Sequence, residues 1–128
     1  MKVLAVAKGV HISPRKVAVV AALVRNRSVA DALVILEHVP RRSAIDVRKT
    51  IQSAAANAAN NHNVKADGLH IAEISVTPGP RLKRYRPASH GRALPFQRKT
   101  SHIRVVVEGE VRAPKKPAAK PADKKEAK

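Results

Sequence analysis

The 128-residue chain has no cysteine and no tryptophan, one tyrosine and one phenylalanine. Without cysteine there can be no disulfide, no thiol nucleophile and no Cys-ligated zinc. So few rings exclude a sheet of exposed aromatics on which successive bases stack. Carboxylates are scarce as well: 9 Asp plus Glu face 26 Lys plus Arg, a formal net charge of +17. Self-repulsion on that scale opposes compaction unless a polyanion neutralises it, so nucleic acid, an anionic membrane surface or an acidic protein is implied as partner. Long apolar runs are missing. The N-terminal MKVLAVAKGV is broken by Lys8, too soon for the apolar region of a signal peptide, and no stretch approaches the roughly eighteen residues needed to span a bilayer. The chain reads as soluble and cytosolic.

Catalytic patterns are absent too. His11, His38, His62, His70, His90 and His102 are scattered with no metal-ligand spacing, and there is no Walker-type phosphate loop, GxSxG elbow or HExxH helix. Neither an enzyme nor a bound cofactor or metal is expected.

What the chain does contain is an α+β pattern. Ser13 and Pro14 read as the cap and first position of a helix whose Val17, Val20, Ala21 and Val24 form one stripe, with Arg25 and Arg27 near its end. Ser28 and Asp31 resemble a capping box opening a second, short helix that Pro40 ends, with Val29, Ala32, Leu33 and Leu36 apolar. A third and longest helix is predicted over Arg41 to Asn61, with Ala44, Val47, Ile51, Ala54, Ala55 and Ala58 on one face. Strands are predicted over Val3 to Val10, Leu69 to Val76 and Ile103 to Val111. The order implies three helices on one face of a small antiparallel three-stranded sheet, with a long β-hairpin protruding. Residues 1–111 read as one domain that includes this hairpin, over 78–102. Residues 112–128, low-complexity Lys/Ala/Pro, read as a disordered tail.

The hairpin is the segment GPRLKRYRPASHGRALPFQRKTSH, Gly79 to His102. Between Glu73 and Glu108 there is no carboxylate, while Arg81, Lys83, Arg84, Arg86, Arg92, Arg98, Lys99 and Arg104 are all basic. Its apolar residues follow no helical repeat, and its flanks are strands. HGRA supplies a turn, and two arms of about 12 residues would project about 40 Å at about 3.3 Å per residue. Arg outnumbers Lys, which suits two-pronged pairing with phosphate and stacking on bases. A long ribbon with nothing packed on it is unstable in water unless a partner orders it. Structured RNA offers crevices lined by phosphate, and no helix here presents a base-reading face for duplex DNA. Arg15 and Lys16 sit in the first turn of a helix, where cations oppose the dipole unless an anion is present, and so suggest a phosphate site.

A membrane-active protein would need a basic amphipathic face that this segment lacks, and a DNA-bending protein would need apolar wedges, for which only Leu94 and Phe96 offer themselves.

At SPRKV, NAANN, GPRLKRYRP, GRA and KTSHIRVVV, in order from Val3 to Val107, the chain resembles the bacterial family of ribosomal protein twenty-two of the large subunit. The resemblance implies a globular domain at the subunit surface and a hairpin running through large-subunit rRNA to line the nascent-peptide exit tunnel. Carried over by position, Arg15, Lys16, Arg81, Lys83, Arg84, Arg86, Arg98, Lys99, Ser101 and His102 would bind rRNA. Ser89, His90, Gly91, Arg92, Ala93 and Leu94 would form the tunnel tip. The implied partners are large-subunit rRNA, neighbouring ribosomal proteins and the nascent peptide, without a membrane or self-assembly, in the cytoplasmic ribosome. The tip, PASHGRALPFQ, is poorer in Arg than the family pattern, and Pro95 removes an N–H that a strand ladder would use.

Overall fold

The computed structural model describes residues 1–112, in the order β1 (Lys2–Val10), α1 (Pro14–Val24), α2 (Val29–His38), α3 (Ser43–His62), β2 (His70–Pro87) and β3 (Ala93–Glu108). The strands form one antiparallel sheet in the order β1-β3-β2. The α+β class, the helix count and the protruding hairpin are as the sequence predicts. Of the tail expected at 112–128, the backbone N–H of Arg112 donates to the Asn63 carbonyl at 2.8 Å, and the remainder lies outside the described residues.

Alternation explains the layers. Along β1, Val3 and Ala5 are buried while Leu4 and Val6 are exposed, and Ile103, Val105 and Val107 of β3 are fully buried. Helix α1 lies against β2, α3 lies against β1 and β3, and α2 packs on the other two helices. The stripe Val17, Val20, Ala21, Val24 of α1 is entirely buried, as are Val47, Ile51, Ala54 and Ala58 of α3. Each buried Val or Ile contributes about 1.5–3 kcal/mol relative to exposure. Alanine along α3 sets a small side chain against the sheet, so helix and strands approach closely.

Local ends depart in detail from the sequence reading. Ser28 accepts the Asp31 N–H at 3.1 Å and donates its hydroxyl to the Asp31 carboxylate at 2.7 Å. The acid therefore braces the cap serine instead of reaching back to its amide. Ser13 makes no side-chain cap bond; its carbonyl accepts the N–H of both Lys16 and Val17. Arg27 caps α1 from beyond its end, its Nε donating to the Leu23 carbonyl at 3.0 Å. Asn63 adopts the left-handed conformation after α3 (φ 50°), and the Val64 N–H returns to the Ala58 carbonyl, a C-terminal cap of the Schellman kind.

The strands differ most. β2 does not stop at Val76 but runs unbroken to Pro87, and β3 begins at Ala93, ten residues before the predicted start, and ends at Glu108. Val111 forms only an isolated bridge, to Val64. The hairpin is therefore the continuation of two core strands.

Candidate nucleic-acid interface

The ribbon leaves the sheet where both neighbours of β3 are irregular. On one side β1 shifts register between Ala7 and Val10; on the other β2 shifts between Pro78 and Arg81. Bulges add twist and bend a strand, and here two of them flank Lys99 to Ile103. Gly9, in the β1 bulge, takes a left-handed conformation (φ 70°), and its N–H donates to His102 Nδ1 at 3.0 Å. In the β2 bulge, a Cβ on Gly79 would lie 2.5 Å from Thr100 Oγ1, and that hydroxyl donates to the Pro80 carbonyl at 2.6 Å. Beyond this point the ribbon consists of β2 and β3 alone.

Its paired register runs from Arg81↔Lys99 to Pro87↔Ala93. From Arg81 to Pro87 the β2 arm reaches about 20 Å at about 3.3 Å per residue, shorter than expected because the first residues of the segment still belong to the sheet. The tip is a turn over Ser89–Gly91, with His90 and Gly91 both left-handed (φ 58° and 67°) and the Ala88 N–H donating to the Arg92 carbonyl at 2.7 Å. That bond fixes the parity of the ladder. Ala88 and Arg92 are a hydrogen-bonded pair, so Pro87 and Pro95, opposite Ala93 and Tyr85, fall at positions whose backbone nitrogens point away from the partner strand. Pro95 thus removes no ladder bond.

Arg81, Lys83, Arg84, Arg86, Arg98 and Lys99 are exposed along the arms, as are Ser89, His90, Gly91, Arg92, Ala93 and Leu94 around the tip. Tyr85 is 71% exposed, and the Arg86 guanidinium lies over the Phe96 ring, 4.9 Å from its centroid. Ser101 does not belong with them. It points into the protein, completely buried, and its hydroxyl has no partner among the described residues. His102 is half-buried and its Nδ1 accepts the Gly9 N–H, which leaves Nε2 as its other ring nitrogen.

On the globular part, Arg15 and Lys16 are both exposed at the start of α1. Lys16 lines a hollow of about 510 Å³ together with His11, Ile12, Arg41, Arg42 and Ser43. A second hollow, about 390 Å³, shares His11 and Ser13 and is closed by Leu82, Gln97, Arg98 and Lys99 of the ribbon base. The two form a trough with cations on both walls. Arg15 lines neither hollow. The Ser13 carbonyl also accepts the Lys16 N–H, so one of the free amides of the first turn is already engaged. Sequence reading passed over Arg41 and Arg42; adjacent arginines immediately before a long helix were the available signal. Among the described residues the one ion pair is His70 with Glu108, 3.9 Å apart, so the cations of ribbon and trough have no acidic partners of their own. No cluster of potential metal ligands occurs among the described residues.

The profile of the family described as Ribosomal protein L22p/L17e matches residues 5–108, which spans β1 through the end of β3. The large ribosomal subunit protein uL22 of Caldicellulosiruptor saccharolyticus is 53% identical over 96 residues, 75% of this chain and 79% of that protein. The uL22 of Clostridium novyi is 46% identical over 107 residues, 84% and 96% of the two chains. That of Petrotoga mobilis is 48% identical over 103 residues, 80% and 69%. With a match that takes in the sheet, the helices and the whole basic ribbon, this chain belongs to the ribosomal protein L22p/L17e family.

Proposed function

We propose that this protein is a structural constituent of the large ribosomal subunit, that it binds large-subunit rRNA and supports subunit assembly, and that its hairpin tip lines the nascent-peptide exit tunnel. The observation that carries the proposal is the ribbon itself: about 20 Å of two-stranded ladder with exposed cations and no carboxylate, reaching out beyond the sheet. Water alone does not stabilise such an element, and a polyanion that surrounds it does. The relatives carry the name of a large-subunit protein, which gives the polyanion its identity.

In this reading Arg81, Lys83, Arg84, Arg86, Arg98 and Lys99 bind rRNA along the arms. His102 joins them through Nε2, Arg15 and Lys16 contribute from the globular part, and Arg41 and Arg42 extend the trough. Ser89 to Leu94 form the tunnel-facing tip. Ser101 holds the base of the ribbon from inside and touches no RNA. Recognition works by neutralising converging phosphates and by shape, with no catalytic role.

Tagged full-length protein should co-sediment with large subunits on a sucrose gradient and be released by ribonuclease. If about eight phosphates are neutralised, the logarithm of rRNA affinity should fall against the logarithm of salt with a slope near −6. A flat salt response, or ribosomal particles that form without the protein bound, would refute the proposal.

A further inference from the structure

In an antiparallel pair, directly opposed residues share a face and successive residues alternate. The printed register therefore sorts the ribbon. One face carries the rungs Leu82↔Arg98, Arg84↔Phe96 and Arg86↔Leu94. The other carries Arg81↔Lys99, Lys83↔Gln97, Tyr85↔Pro95 and Pro87↔Ala93. The contact of Arg86 with Phe96, diagonal neighbours on the first face, agrees with this assignment.

The two faces differ in kind. On the first, every rung sets one arginine against one apolar side chain. Leu94 is 59% exposed, and Leu82, which lines the hollow beside His11 and Ser13, is 36% exposed. On the second, the base rung places two cations directly opposite each other, an arrangement that destabilises a strand pair unless an anion lies between them. Lys83 follows, and then the charge stops: the rungs of Tyr85 and Pro87 have none.

We propose that the ribbon binds RNA in two modes, one on each face, an inference that rests on the rRNA-binding role above. Arg84, Arg86 and Arg98, with Leu82 and Phe96, take nucleobase and ribose surfaces by planar and apolar contact. Arg81, Lys83 and Lys99 act on phosphate through charge alone. Exposed leucine gains nothing from a phosphate, whereas a base or ribose surface removes it from water. Guanidinium is planar and weakly hydrated and stacks on rings; an ammonium is a compact, strongly hydrated charge. Arg86 already lies over Phe96, so a base added to its outer side would complete a stack whose inner half is in place.

The test uses one substitution that conserves charge, placed on both faces. Full-length protein carrying Arg84→Lys, Arg86→Lys and Arg98→Lys should bind a large-subunit rRNA transcript about tenfold or more weakly than the parent, with an unchanged salt slope. Arg81→Lys should bind within about twofold of the parent. Lys83→Ala with Lys99→Ala should flatten the slope by about 1.4–1.8, the value for two phosphates. Thermal melting should be alike for all, since none of these side chains is buried. The two-mode inference is overturned if the triple variant binds like the parent, if Arg81→Lys alone loses about tenfold, or if the triple variant changes the slope. A parent protein with no salt-dependent binding would instead overturn the rRNA-binding role itself.

Discussion

Ile51 and Arg84 stand for two halves of one chain built on opposite terms. Ile51 is fully buried between α3 and the sheet, and its neighbours are other apolar side chains. Arg84 stands in solvent on the arm and donates only to the Lys83 carbonyl next to it. The globular half gains its stability from apolar surface removed from water, so its contacts are all internal. The ribbon has no such interior, and its order depends on what surrounds it. β2 and β3 pass through both halves without interruption, which ties the direction of the ribbon to the rigid sheet.

This contrast can be broken most forcefully from the core side. Ile51→Ala should lower the unfolding free energy by about 2–5 kcal/mol in urea titration. The variant that remains folded should still bind rRNA with the parental salt slope. In the ribbon the weights reverse. Arg84→Ala with Arg86→Ala should reduce incorporation into large subunits, read by sucrose gradient, at a loss of about 1.5–3 kcal/mol per charged contact. Its unfolding free energy should stay within about 0.5 kcal/mol of the parent. A variant that melted early yet assembled normally would collapse the distinction between the two halves.

The junction sharpens it. Gly79→Ala forces a Cβ against Thr100 Oγ1 and should destabilise by about 1–3 kcal/mol, as overpacking does. Thr100→Ala in the same chain should recover part of that loss, and additivity of the two in a double-mutant cycle would show that the bulge is not the cause. Smallest of all, Ser28→Ala should remove the brace at the start of α2 for about 1 kcal/mol, with no effect on RNA.

The helices were legible in the sequence because burial writes a period into it: Val17, Val20, Ala21 and Val24 were a stripe before they were a buried face. The ribbon was legible only as a surplus of charge. Nothing in GPRLKRYRP alternates as a half-buried strand must, since neither side faces a core, and its prolines argued against a ladder. Parity decided that point, and parity comes from the turn, where one bond from Ala88 to Arg92 sets the register of every rung. The inward placement of Ser101 has a related reason. It lies within a basic stretch, but it follows the β-alternation of Ile103 and Val105 and so faces inward. The Arg41–Arg42 wall of the trough depends on how α3 sits beside α1, a tertiary relation that no local pattern carries.

One consequence of the proline placement concerns the protein before it meets its partner. A two-stranded ribbon has two open margins, and each invites a strand from another molecule. Pro87 on one margin and Pro95 on the other withhold the donor that such an intruder would need, and Arg81, Lys83 and Lys99 sit at the same outward-turned positions nearer the base. Each open margin thus lacks one of the donors that a pairing strand would use.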